Sequence, residues 1–405
     1  MVRVRVSATV IAVLTIVAAA MACTNARESH GTAPQATPAP TAGLPTTTVA
    51  AAPPTVRPSC QTPLPAAWQQ AIEGSGVSTG GVSTVPMAVG RAGEVAAVRD
   101  NGNTRDLLVI GADRSVTETY SVPDPNRNNV GLVAMDDRWI VVGVDRIPRG
   151  SNGVLPGLIR VDVIDRQAGG VRTVATQSEA DYEVGRNVLD SIALFGGKVY
   201  WITREIYAGT TGTVSSYDPG TGAVAELASG TVRDVRATAA GVTWVGDSRR
   251  AEVKVPAALP PPVADALGKA RDRVTVATDG TAYAWVTGLD QGGTGVAWWS
   301  PGSGLVRVTG ESMRPRTGPA SVSDWVPAVY VVGPYVIVDT GRPSDTTGQT
   351  NTTVVDIRTG AVTYLPESVA GADGGTIATH LRPGASKRAE IPGVVRSSAL
   401  PPLSC

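Results

Sequence analysis

Aspartate recurs at one place in the repeats of this 405-residue sequence. Asp190, Asp234, Asp272 and Asp324 each stand at or just before the first strand of a unit, and Asn129 holds a similar place. Carboxylates brought into a ring would bind a cation or a basic ligand, and a pair at suitable separation would serve glycoside hydrolysis as acid and base. Aspartate also caps turns at strand starts, which is the plainer reading. The register differs among the four, and a shift of one residue reverses the face of a strand. They are the candidate ligand ring at a channel mouth.

Other chemistry is sparse. His30 and His380 are the only histidines, and neither has a Cys, Asp or Glu partner at metal-ligand spacing. No HExxH, CxxC or phosphate loop occurs, and Gly302-Ser303-Gly304 lacks the spacing of a nucleophile elbow. Asp124, Asn126 and Asn128 in DPNRNNVG imitate the first ligands of a calcium loop. The glycine falls late and no Glu closes the set, so the segment reads as a polar turn. No catalytic residue, metal site or cofactor is assigned. Lys and Arg number 35 against 35 Asp and Glu. That balance leaves no basic footprint for nucleic acid.

The elements that position the aspartates come from a repeat. SSYDPGTGAVAEL from Ser215 is echoed by AWWSPGSGLVRV from Ala297, TVVDIRTGAVTYL from Thr353 and, more loosely, RVDVIDRQAGGVRTV from Arg160. Each reads as a hairpin with glycine where the turn needs positive φ. Ahead of these stand DRWIVVG, GGKVYWIT, AAGVTWVG, DGTAYAWVT and VGPYVIVD, with weaker copies AGEVAAVR and DGGTIATH. There a Gly/Asp turn leads into a strand that is apolar on both faces, and a further strand precedes most of them. Units of this kind recur seven times at intervals of about 40 to 60 residues, the grammar of propeller blades. The expected fold is all-β, a β-propeller of seven blades, with six or eight left open. Trp201, Trp244 and Trp285 fall on its central strands as core, and two short helices are expected over Pro65–Glu73 and Pro262–Lys269.

The ends of the chain speak to compartment. Arg3 and Arg5 precede an uncharged apolar run to Met21, the order of a secretory signal over residues 1–22. Cys23 follows it, and residues 23–59, rich in Thr, Ala and Pro, read as a disordered tether. Two processing routes fit: cleavage by a general signal peptidase, or acylation of Cys23 in a lipobox-like setting. Cys60 and Cys405 flank the folded part, residues 60–405, and would pair in an oxidising compartment as a clasp across the propeller seam. Cys23 is then the odd thiol, and lipidation accounts for it. Whether residues 77–85 also add a strand to the last blade is left open.

The repeat grammar over residues 80–403 resembles that of exported actinobacterial β-propeller lipoproteins, broadly of the YncE-like and TolB-like kind. No motif singles out one family, so the resemblance carries no functional residue. It implies a monomeric, palmitate-type lipid-anchored protein on the outer face of the cell membrane, with a soluble secreted form as the alternative. The expected function is a non-catalytic scaffold that binds another envelope protein or glycan, its contacts made by the loops Arg146–Gly157 and Gly341–Asn351. The alternative is a propeller that binds or acts on envelope glycan through carboxylates at a channel mouth. A metabolite sensor coupled to an envelope protein is a third.

Overall fold

The apolar runs become middle strands for a reason visible in blade 3. The computed structural model describes residues 53–147, 157–205, 211–247, 251–268, 275–288, 295–310, 327–343, 350–366, 369–381 and 390–405. Lys198–Arg204 pairs antiparallel with Val188–Phe195 on one side and Thr211–Asp218 on the other, and Ala223–Thr231 completes the meander. Val199 and Trp201 pack with Trp139, Val141 and Val163 of the preceding blade. Their neighbours Tyr200 and Ile202 point the other way, into Val235, Val242 and Trp244 of the following blade. Both faces of the strand are therefore core, so KVYWI cannot alternate. The outermost strand, Ala223–Thr231, is mostly exposed and mixes residue types.

The described strands form seven such meanders around a propeller, over residues 83–121, 128–176, 188–231, 233–256, 277–309, 328–364 and 369–396. Blades 2 and 3 join at one point, where Leu189 pairs with Leu158. First strands of successive blades lie against one another, Ser83–Val89 touching both Asn128–Met135 and Val369–Asp373. Since every blade repeats the same order, the first strands start at one mouth and their turns into the second strands gather at the other. Blade 4 has three described strands, and helix Pro261–Leu267 inserts Val263 and Leu267 beside Trp285 and Ala297 of blade 5. The other expected helix is Ala66–Glu73. The hairpin glycines have the required backbone, with φ of 76° at Gly222, 68° at Gly304 and 81° at Gly360.

Closure is made by both chain ends. Thr55–Pro58 pairs parallel with Gly304–Thr309, the outer strand of blade 5, and Cys60–Gln61 pairs parallel with Ala361–Tyr364 of blade 6. Helix Ala66–Glu73 follows, with Trp68 and Ile72 buried. Gly76 then bridges Gly393 on the outer strand of blade 7, where Val77 donates to Pro392 O at 2.9 Å and Val394 to Ser75 O at 3.1 Å. Residues 75–77 thus bridge the outer edge of the last blade before the chain enters blade 1 at Ser83. The tether read over residues 23–59 is corrected at its end: the folded body reaches back to Thr55. Val56 is 61% exposed, so backbone pairing with an open sheet edge, not apolar burial, orders this segment.

The C-terminal tail locks the belt. Cys60 and Cys405 form a disulfide with Cα atoms 5.9 Å apart. Trp68 Nε1 donates to Pro401 O at 2.8 Å, and Tyr335 hydroxyl to Leu400 O at 3.0 Å. Leu403 N donates to Oδ2 of the fully buried Asp356 at 3.0 Å, and Arg358 grips both oxygens of that carboxylate at 2.7 and 2.9 Å. Trp68 meets Tyr335 edge to face, centroids 5.0 Å apart.

Two losses of stability follow. The disulfide closes a loop of 345 residues, so reduction or Cys405→Ser should lower unfolding free energy by up to ~5 kcal/mol. Asp356→Ala strands Arg358 and the Leu403 N–H and should cost about 2–3 kcal/mol. Chemical denaturation of the two variants beside the wild type measures both, and an unchanged midpoint for either would deny that end its part in closure.

Candidate functional site

At the strand-start mouth, blades 2 to 4 place the anticipated side chains on first strands interrupted by bulges. The register slips between Val130 and Leu132, between Leu189 and Ile192, and between Arg233 and Arg236. A bulge re-aims the residues beside it. Asp190 pairs across to Arg204 at 2.8 Å. Asp234 has a left-handed backbone, φ 60°, and pairs with Arg236 on its own strand at 2.8 Å. Ser191 Oγ accepts from Val235 N at 2.9 Å and ties the two first strands together. Each described aspartate of the candidate ring is therefore matched to an arginine of its own blade. Asp272 and Asp324 lie outside the described residues, as do most of the loops 146–157 and 341–351.

Sequence reasoning missed Asp145, which faces Asn129 in the register of blade 2. Burial pushes its carboxyl pKa up, against the pull of its own backbone N–H and the charge of Arg105. Its Oδ1 is buried and has no hydrogen-bond partner, and the same holds for Arg146 Nε, Arg204 Nε and Gln177 Oε1. Gly131 lets the carboxyl lean in, since a Cβ there would stand 2.8 Å from Asp145 Oδ2. Beside it, Arg127 reaches Glu179 at 2.7 Å, Arg146 bonds the same carboxylate, and Arg146 lies 5.5 Å over the Tyr182 ring. Helix Glu179–Val184 holds these groups, its start capped by Ser178 Oγ accepting from Asp181 N. No pattern of residue types marks Asp145; only the packing around it does.

The other mouth carries a second set of aspartates. Asp137, Asp279 and Asp373 open the turns that the motifs DRWIVVG, DGTAYAWVT and DGGTIATH signalled. Burial raises the pKa of Asp373, Gly374 N–H and Arg91 oppose that, and the charges of Asp279 and Asp137 add to it. The carboxyl of Asp373 in blade 7 therefore feels the charges of Asp137 from blade 2 and Asp279 from blade 5. Asp279 Oδ1 caps its turn through Thr281 N and Ala282 N, while Oδ2 accepts from Gly333 N of blade 6 at 3.2 Å. Among the described residues no group of three His, Cys, Asp or Glu is placed to hold a metal ion.

Other residues singled out by type are structural. Asn128 donates to Pro123 O at 2.6 Å and accepts from Arg146 at 3.1 Å, so DPNRNNVG is the turn linking blades 1 and 2. His380 lies 4.0 Å from Glu390 in blade 7. Trp201, Trp244 and Trp285 are buried; of the adjacent pair, Trp298 is buried and Trp299 half-buried beside Tyr283.

No protein-family model and no curated protein matches this sequence. Among solved structures the chain is similar to a streptogramin B lyase, at 11% identity over 80% of this chain and 96% of that one, with a TM-score of 0.40. It is similar to an oligogalacturonate lyase from Vibrio parahaemolyticus at 10% identity over 79% and 91%, with a TM-score of 0.41. For the WD40 domain of Neurospora crassa Pan2 the figures are 10%, 74%, 86% and 0.39. These neighbours are β-propeller proteins, enzymes and scaffolds alike. Likeness at this level carries no argument about activity, and the fold rests on this chain's own strand pairing.

Asp145 makes stability depend on pH with a definite sign. A carboxyl whose folded pKa is raised favours the folded state below its unfolded value, near 3.8, and that favour is lost as pH rises through the folded value. Asp145→Asn removes the cost of the buried charge, so it should be more stable than the wild type at pH 7 and the gap should shrink towards pH 4. Melting curves across that range test it; a variant less stable at pH 7 would mean that the charged form is the stabilised one.

Proposed function

We propose that this protein is a non-catalytic β-propeller scaffold, lipid-anchored through Cys23 on the extracytoplasmic face of the cell membrane, that binds another envelope protein at a propeller mouth. The observation that carries the reading is the mode of closure. Thr55–Pro58 runs along the outer edge of blade 5, so the first described residues meet the body at its rim. A ring held by a disulfide and a tail anchored on the buried Leu403 is a rigid platform of the kind on which turns and loops make contacts. A partner docking at the turn-side mouth would present basic groups to Asp137, Asp279 and Asp373.

A second reading, a propeller that binds or acts on envelope glycan, is favoured by one observation. Asp145, with its raised pKa and unpartnered buried oxygen, belongs to the same blade pair as the arginine-paired Asp190. Two carboxyls in unlike surroundings, one with its pKa raised by burial and one paired with arginine, are the kind of set that acid–base work on a glycoside draws on.

The experiment is photo-crosslinking in cells of the full-length chain, with the reactive residue at position 137 in the mouth or at 226 on the rim. A discrete envelope protein captured from 137 and not from 226 is expected; capture of glycan at the strand-start mouth instead would favour the second reading. Cys23→Ser should abolish incorporation of an alkyne-labelled fatty acid and move the protein into the medium. Retention of the variant in the membrane fraction would refute the anchor.

A further inference from the structure

Between blades 2 and 3, on the face of the turns, lies a half-open cavity of about 340 Å³. It is far from the seam and distinct from the axial mouth, being lined by the third-to-fourth strand turns of the two blades and by Arg138 at the first turn of blade 2. Two guanidinium groups are fixed at its wall. Arg138 lies over the Trp139 ring, 4.5 Å from its centroid, and reaches Asp165 at 3.1 Å. Arg172 bonds the hydroxyl of the buried Tyr217, a neutral partner, and among the described residues it meets no carboxylate. An exposed arginine held by an aromatic hydroxyl keeps its charge and its remaining donors, and has less rotamer freedom to lose on binding.

The acid in the cavity is already satisfied. Asp165 accepts from Ala168 N at 3.0 Å, Gln167 N at 2.9 Å and Arg138, and these bonds, the Ala168 N–H foremost, hold its carboxyl below the usual range. Asp218 next door is likewise occupied, capping Gly220 N at 2.9 Å with Lys198 3.9 Å away. The positive charge of Arg172 is therefore uncompensated. The entrance is unobstructed, because Gly169 and Gly170 have nothing within 4 Å of where a side chain would begin. One wall is apolar, made by Trp139 and Val163. A volume of this size, at the small end of ligand sites, suits one or two sugar rings. Apolar C–H faces on one side and an anion on the other match the sugar acids.

We propose that this cavity binds an anionic saccharide, its carboxylate or phosphate held by Arg172 and Arg138 and its ring against Trp139 and Val163. Arginine recognises either oxyanion bidentately, so the two sources share one chemistry. The site adjoins the mouth in which a protein partner is proposed to dock, since Arg138 follows Asp137 in one turn, and it is tested separately through Arg172.

Isothermal titration of the full-length protein with a hexuronate tetrasaccharide, a glycerol-phosphate tetramer, the carboxyl-reduced neutral tetrasaccharide and tetraglutamate decides the matter. One or both of the first two should bind, telling carboxylate from phosphate, and the neutral sugar should bind at least tenfold more weakly. Arg172→Met should weaken binding at least tenfold without moving the melting temperature, and Tyr217→Phe should weaken it less. No binding of either anion at millimolar concentration, equal binding of the neutral sugar or of tetraglutamate, or full affinity in Arg172→Met would each overturn the proposal.

Discussion

A ring of sheets has to satisfy the edge of its last blade, and in this protein that constraint organises both chain ends. The described part of blade 7 ends at Ile391–Arg396, whose outer backbone groups would face solvent as an open edge. Ser75 to Val77 covers that edge, and the same segment leads directly into the first strand of blade 1. Opening the seam therefore means stripping this segment from blade 7 and pulling on blade 1 at once. The two pairings before it, on blades 5 and 6, extend one edge-pairing device around three consecutive rims. Close packing holds the belt to its path: a Cβ on Gly310 would meet Ser59, and one on Gly360 would meet Pro58 O.

Blades 1 to 4 have no such cover over their described outer strands, and they protect themselves by composition. Blade 4 ends on Ala251–Pro256, where Glu252 and Lys254 pair at 2.6 Å and proline closes the strand. Blade 1 ends on Val116–Ser121, with Glu118 bonded to Arg99 at 2.7 Å. Charge and proline on an edge discourage the pairing that the belt exploits elsewhere. Within the blades, buried carboxylates act as internal ties. Asp162, fully buried, collects Tyr120 at 2.7 Å, Thr173 at 2.7 Å and Arg160, and so joins blade 1 to blade 2. Asp356 does the same for the C-terminal tail. Removing one partner from such a hub leaves a charge in the core, which is why these positions are structural and not spare acids awaiting a ligand.

Much of the architecture was legible because its causes are local or arithmetical. KVYWI and AYAWV announce strands covered on both faces, the glycines at 222, 304 and 360 announce hairpins, and two cysteines bracketing a ring announce a clasp. What escaped depends on partners far along the chain. TVRP at residues 55–58 has nothing in its composition to order it and becomes a strand only because blade 5 offers an edge. Asp190 and Asp234 were found as repeat positions, but bulges that sequence does not display decide where they point. Asp145 is distinguished by burial alone. Asp137, Asp279 and Asp373 stood inside the quoted turn motifs; reading them only as turn formers overlooked that equivalent turns of a propeller share one mouth.

The two mouths differ in how their charge is settled, and that difference bears on use. At the strand starts Asp190 and Asp234 are paired within their own blades, with Arg204 and with Arg236, so a ligand of either would have to displace an existing ion pair. At the turns Asp279 and Asp373 are committed to backbone N–H groups, which cap a turn but leave the net charge uncancelled. Arg91 is the one cation among the described groups that act on Asp373 there. Farther out on this face the sign reverses, with Arg138 and Arg172 set on aromatic supports at the junction of blades 2 and 3. An acidic axis beside a basic junction gives one face two chemically distinct contact zones. Charge of opposite sign at two places on one face is what would orient a partner of complementary charge.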